Sequence, residues 1–287
     1  RILANWLREA PEGERPSRVG HLIGMYGRRN GKFEMNNKQP AVVSLGHFGG
    51  QFSWPEASHE VRREMYQDHL DYTLGLLHFL ATAEVVPESV RKDMATLGLH
   101  AEVFADNGHL PYELYVREGR RIRGSYVMRE QDVQSERRKE DSIGMGSHFI
   151  DSHHVQRLAV SPTEFVNEGR IWRKGHAYQI PYRALTPKPG DPSFAEATGG
   201  QGCSNRLVPA AASFTHVAHC TLRVEGTWMI TGHAAGVAAA MAAAKESTVQ
   251  EVPVQELQEK LRAQKQVVDF VPGQPEKCEQ LHGPPEF

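Results

Sequence analysis

Apolar positions recur at helical spacing in several stretches. After Pro55, the residues Val61, Met65, Tyr72, Leu76 and Leu80 follow a helical period, which predicts a helix from about Glu56 to Ala83. Val90, Met94 and Leu97 predict a short second helix, with Pro87 suiting its first turn and Gly98 its end. Val254, Leu257 and Leu261, preceded by Pro253, predict another short helix. The stretch "TGHAAGVAAAMAAA", Thr231 to Ala244, is nearly all small residues, which let a second backbone come close.

Elsewhere the period shortens to two. "YELYVR" and "RIRGSYVM" predict strands on either side of Glu118-Gly119. "SHFIDSHHVQRLAV" also alternates. As a strand it sets His148, Ile150, Ser152 and His154 on one face and Phe149, Asp151, His153 and Val155 on the other. "AYQIPYRALTPK" reads as a strand entering a turn, and "RLVPAAA" as a short buried strand. Residues 11–20 and 189–205 read as loops, and the tail from Pro272 as a loose Pro-rich end. No internal repeat interrupts this order.

A chain of 287 residues supports one large domain or two smaller ones. With 39% hydrophobic and 24% charged residues it belongs to the soluble globular class. A formal net charge of -2 gives no electrostatic ground for a nucleic-acid or anionic-lipid partner. The most apolar window, Trp228 to Ala244, is short for a membrane span and contains His233. Cys203, Cys220 and Cys278 are odd in number and form no C-x-x-C pair, so neither a disulfide framework nor a zinc motif is expected. There is no secretory signal pattern, and the sequence opens at Arg1. A fragment is therefore expected, from a cytoplasmic or an exported protein.

Three blocks carry candidate chemistry. In the first, Arg117, Arg120, Arg121 and Arg123 form a basic cluster, readable as an oxyanion clamp for a substrate or as a solvated edge with ordinary ion pairs. In the second, "GMGSHFIDSHHVQR", Asp151 and His153, with nearby Asp141, offer metal ligands or an acid–base pair; structural histidines satisfied by their neighbours are the alternative. No H-E-x-x-H spacing supports a metal, and none is expected. In the third, Ser213, Thr215 and His216 cluster just before a helix, whose start favours an anion or an electron-rich ring edge; a packed core helix is the alternative. The patterns G-x-G-x-x-G, G-x-x-x-x-G-K-[ST] and G-x-S-x-G are all missing from the sequence.

Taken in order, "DNGHLPYELYVREGRRIRGSYVM", "DSIGMGSHFIDSHHVQR", "NEG", "IPYRALTPK" and "THVAHCTLRVEGTWMITGHAAGVAAAMA" resemble the later part of bacterial FAD-dependent oxidoreductases. These are glutathione-reductase-type flavoproteins, some of them xanthan-lyase-like. The resemblance covers roughly residues 25–270 and implies an α/β fold: part of a three-layer FAD-binding domain with a mixed α+β substrate domain. It assigns residues 1–178 to the substrate domain and connecting elements, 179–245 to the returning part of the FAD domain with its flavin-side helix, and 246–287 to a C-terminal helix and tail.

The implied activity is hydride transfer between FAD and a small organic substrate, for which a carbohydrate is one candidate. His216, His154 and Asp151 take the catalytic positions. Ser213, Thr215, Cys220, Thr221, Leu222 and Arg223 take the flavin-facing ones, and Arg117, Arg121 and His153 the substrate-facing ones. On this alignment the flavin-side helix starts near Thr221, so Gly232 and Gly236 lie well inside it and pack it against a strand. The chain departs from the family by an insertion from Gly190 to Asn205, by Gly226 in place of a usual proline, and by His233 in place of a usual glutamine. Two other readings stand beside this one: a non-catalytic remnant acting as a binding module, and a metal-dependent hydrolase or lyase built on Asp151, His153 and His154.

Overall fold

A computed structural model describes residues 1–38, 41–135, 137–190 and 205–270. The insertion and the Pro-rich tail therefore lie almost wholly outside the described residues. The chain forms two compact units. One comprises Arg1–Val116 with His154–Gly169, the other Arg117–His153 with the described residues from Arg170 onward.

In the first unit, α1 (Ile2–Glu9) is followed by an antiparallel pair, β1 (Gly24–Gly27) and β2 (Phe33–Asn36). Then come α2 (His59–Thr82) and α3 (Glu88–Met94). The predicted long helix is present, shifted at its start because Ser58 caps it by accepting from the Val61 N–H at 3.3 Å. Leu7, Leu22, Ile23, Leu80, Val86 and Val90 fill the core of this unit. The second helix ends at Met94, short of Gly98, where the Thr96 hydroxyl donates to the Asp93 carbonyl and a turn takes over.

Most of the site chemistry lies in the second unit. It contains α4 (Glu130–Val133), β3 (Ser142–Gly146) and β4 (Ile150–Asp151). The strands β5 (Gln156–Ala159) and β6 (Phe165–Glu168) pair with each other in the first unit. The second unit resumes with β7 (Trp172–Arg173), β8 (Tyr178–Pro181), α5 (His216–Leu222), α6 (Glu225–Ala244) and α7 (Val254–Ala263). Among the described residues, strands pair only in twos, all antiparallel: β3 with β8 and β4 with β7 here. Helices and small antiparallel sheets together make a mixed α/β fold.

The predicted alternation of residues 150–155 holds as a burial pattern: Ile150, Ser152 and His154 are buried, and the residues between them are more open. The strands expected around Glu118-Gly119 do not form. That segment bonds irregularly instead, with the Ile122 N–H to the Ala211 carbonyl at 3.0 Å and isolated bridges at Gly124–Pro187 and Met128–Phe214. "RLVPAAA" is not a strand either. Pro209 cannot donate to a ladder, and the Val208 N–H instead reaches the Leu185 carbonyl at 2.9 Å.

The helix expected to start near Thr221 is two helices. The Arg223 N–H closes α5 on the His219 carbonyl, and extended Val224 then opens α6. α6 buries Thr227, Thr231, Ala234, Ala235, Ala238, Met241 and Ala242, one helical stripe. Ala234, Ala235, Ala238 and Ala242 are buried, but the glycines make no close approach: a Cβ on Gly232 or Gly236 would meet nothing within 4 Å. The tight glycine is on the strand. A Cβ on Gly144 would lie 2.3 Å from Cγ2 of Ile230 on α6.

Gly175 is tighter still, because the atoms it faces are backbone. A Cβ there would sit 2.3 Å from the His148 carbonyl oxygen and 3.0 Å from the Phe149 Cα. Gly175→Ala is expected to destabilise the chain by about 1–3 kcal/mol through overpacking. Chemical denaturation checks this; an unchanged midpoint would contradict it.

Behind the site, a buried polar node ties α4 to the loop before β3. Asp132 and Lys139 form an ion pair at 3.2 Å with side chains only 2% and 3% exposed. The Tyr126 hydroxyl donates to Asp132 at 2.7 Å, and the Arg129 N–H at 2.9 Å. The two carboxylate oxygens are thus both engaged, which makes burial of the charge tolerable.

Among the described residues, no helix is long and apolar enough to cross a membrane.

Candidate functional site

α5 organises the site. Thr215 is its N-cap, with its hydroxyl oxygen facing the Ala218 N–H at 3.5 Å. His216 and Cys220 are one turn apart and share a face of the helix. Opposite them lies the irregular segment at residues 117–122. It is held there as the Arg121 Nε donates to the Phe214 carbonyl at 2.9 Å.

Glu118 is the meeting point. His216 Nδ1 lies 2.7 Å from its Oε1 and 2.8 Å from its Oε2. Arg121 Nη1 donates to Oε2 at 2.9 Å. The Cys220 thiol faces Oε1 at 3.6 Å and also reaches the His216 carbonyl at 3.2 Å. The His216 side chain remains 49% exposed while Glu118 is 26% exposed, so the imidazole presents an open edge and keeps its partner sheltered.

The electrostatics follow from this contact. Hydrogen bonding to Glu118 raises the His216 pKa against the opposing cost of burial. Burial alone pushes the Glu118 carboxyl up, but its bonds to His216 and Arg121 outweigh that and hold it below the ordinary range. Burial, with Glu118 adding to it, drives the Cys220 thiol up to about 12, so it is no nucleophile. His219, buried beside Arg121, is pushed down to about 4 and stays neutral near pH 7.

A second ionic group stands at the other end of α5. Arg223 donates from Nη2 to the Asp151 carbonyl at 2.8 Å and to its Oδ2 at 2.9 Å. Arg117 Nη1 lies 3.8 Å from the same Oδ2. Asp151 is thereby a structural counter-charge for two arginines, one of them only 5% exposed. Its neighbour His153 is half-buried on the same unit. His154 falls in the first unit, where its ring meets Phe48 edge-on with centroids 5.9 Å apart.

The expected flavin-facing residues divide into two kinds. Ser213 is buried, and its hydroxyl has no partner among the described residues. His216, just past the N-cap, is by contrast half exposed. Cys220, Thr221 and Leu222 are fully buried within α5, whose backbone bonds take up their N–H groups. Thr221 donates its hydroxyl to the His148 carbonyl at 2.5 Å. Arg223 is committed to Asp151. These four positions build the floor behind His216 and do not offer donors outward.

Sequence reasoning missed Glu118, whose carboxylate sits 98 residues before His216. Its only signal was a place beside the turn Glu118-Gly119, within an arginine cluster that needed a counter-charge.

The chain matches the family described as FAD dependent oxidoreductase over residues 4–261. It belongs to the FAD-dependent oxidoreductases. The match spans most of the sequence, and FAD is the cofactor of this family. No curated protein and no solved structure matches the chain. Half-exposed His216 leaves an imidazole edge open to a flavin ring, whereas the Ser213 hydroxyl is buried and presents nothing outward. The closed positions Cys220 to Arg223 fit a supporting role.

Proposed function

We propose that the chain takes part in hydride transfer between a small organic substrate and FAD, with His216 moving the accompanying proton. The observation that carries this reading is the Glu118–His216 contact at 2.7 Å, with the imidazole half open to solvent. FAD, when bound, supplies the hydride-accepting chemistry that no amino-acid side chain has. Glu118 fixes the ring by accepting from Nδ1–H, which turns Nε2 toward the open side. A proton held at that nitrogen is placed for exchange with a substrate hydroxyl or carbonyl. Arg121 steadies Glu118, and neutral His219 adds no competing charge.

In this reading Arg117 orients an anionic or oxygen-rich substrate, with Asp151 and His153 setting its position. Residues 1–178 act as the substrate domain and connecting elements. Residues 179–245 act as the returning part of a three-layer, glutathione-reductase-type FAD domain, and 246–287 as a C-terminal helix and tail. A carbohydrate-related substrate suits the hydroxyl chemistry assigned to His216.

The test is an acceptor assay on the purified chain supplied with FAD, using a dye that takes electrons from reduced flavin and a panel of small hydroxylated compounds. Dye reduction that requires both FAD and one of the compounds is expected. Dye reduction independent of FAD, or none with any compound on a chain that carries flavin, would count against the assignment.

A further inference from the structure

We propose that Glu118, His216 and Cys220 form a binding site for a zinc-class divalent cation. Among the described residues, this is the one group of at least three His, Cys, Asp or Glu side chains whose ligand atoms converge, all within 4.8 Å of one another. The set is chemically mixed: one carboxylate oxygen, one imidazole nitrogen and one sulfur. Hard cations such as magnesium and calcium prefer oxygen alone, whereas a sulfur–nitrogen–oxygen set suits zinc.

The geometry needs little change. Zinc bonds of about 2.0–2.3 Å in a tetrahedron set ligand atoms about 3.3–3.8 Å apart. The Cys220 sulfur already lies 3.6 Å from Glu118 Oε1. Nδ1 of His216 and Oε1 are 2.7 Å apart and must open by about 1 Å to admit the ion. Two of the ligands are one helical turn apart on α5, so the helix itself fixes their relative position.

Arg121 sharpens the case. Its Nη1 is bonded to Oε2 of Glu118, which leaves Oε1 to the metal and orients the carboxylate from behind. Carboxylate and thiolate together bring two negative charges to a dication, so the nearby guanidinium faces a neutral cluster. On binding, the cation takes the place of the proton on Nδ1 and of the thiol proton, and both protons pass to solvent. The site goes beyond the oxidoreductase reading and does not depend on it. While the cation is bound, Nδ1 of His216 has no proton to give to Glu118.

The test uses the whole chain after chelator treatment, titrated calorimetrically with zinc chloride and then optically with cobalt chloride, without flavin. One zinc per chain is expected, and cobalt should show a thiolate charge-transfer band. Cys220→Ala should abolish that band and weaken zinc binding about tenfold or more. Glu118→Gln and His216→Asn should also weaken binding, while Cys203→Ala with Cys278→Ala should leave it intact. Circular dichroism checks folding of each variant, and half-exposed His216 supplies the reading should Cys220→Ala not fold. No metal uptake by the native chain, or a cobalt band that survives Cys220→Ala, would overturn the proposal. Since no flavin is involved, either result leaves the oxidoreductase reading to its own test.

Discussion

His216→Gln is expected to lower turnover of the FAD-supplied chain by about 10²–10⁴-fold, the usual worth of a positioned acid or base. Glutamine keeps a polar group near Glu118 but cannot carry a proton between donor and acceptor. Because the His216 side chain is 49% exposed, its loss opens no core cavity, and the melting temperature should stay close to that of the native chain. Glu118→Gln should give a smaller loss. The amide still accepts from Nδ1–H, but the charge that favours the protonated ring is gone. Steady-state assays of the two variants, read beside their thermal melts, separate this role from a structural one. Native turnover in His216→Gln would remove this histidine from the chemistry.

The second large effect concerns stability. Asp132→Ala is expected to cost about 3–5 kcal/mol, because it leaves the buried Lys139 ammonium without its counter-charge. It also strips the Tyr126 hydroxyl and the Arg129 N–H of their acceptor. For a chain of this size that corresponds to a fall of roughly 10 °C in the melting temperature. A double variant, Asp132→Leu with Lys139→Met, should cost less than the sum of the two single changes, since no lone charge is left behind. Additive losses would contradict the pairing.

The same node sets a pH dependence. Burial raises the Asp132 pKa, but the bonds from Tyr126 and Arg129 and the charge of Lys139 outweigh it and hold the group below its ordinary value. A carboxyl depressed in the folded state stabilises the fold fully above its unfolded pKa of about 4. That contribution disappears as pH falls through the lower, folded value. The native chain should therefore lose stability in acid more steeply below about pH 4 than Asp132→Ala does. Parallel acid denaturation curves for the two would contradict this.

The helices were legible because their signals are local. Pro87 and Pro253 mark helix starts, and the apolar spacing of α2, α3 and α7 survives in any tertiary setting; sequence reasoning missed the cap at Ser58 that sets the start of α2. β8 was legible as the strand in "AYQIP" that enters a turn. The hairpin around Glu118-Gly119 was not formed, although the segment alternates. The Ile122 and Met128 N–H groups and the Arg121 guanidinium find partners at residues 211–214, far along the sequence. The break between α5 and α6 was hidden because nothing but the extended Val224 separates two good helical patterns.

The site divides in the same way. His216 could be found from its place before a helix, and the tie between Arg223 and Asp151 from their opposite charges at best. Glu118 could not, because only the folded course of the irregular segment brings it to His216. The flavin-facing reading of Cys220 to Arg223 rested on a helix start near Thr221. The structure places those residues at the end of α5, buried and bonded, buries Ser213 as well, and leaves His216 as the open polar group.

FAD is the cofactor of the family to which this chain belongs. The most direct measurement is a titration of the purified chain with FAD, followed by the fluorescence and visible absorbance of the flavin. Saturable uptake is expected, with a flavin spectrum altered by His216→Gln. A colourless chain that leaves the fluorescence of added FAD unchanged would contradict it.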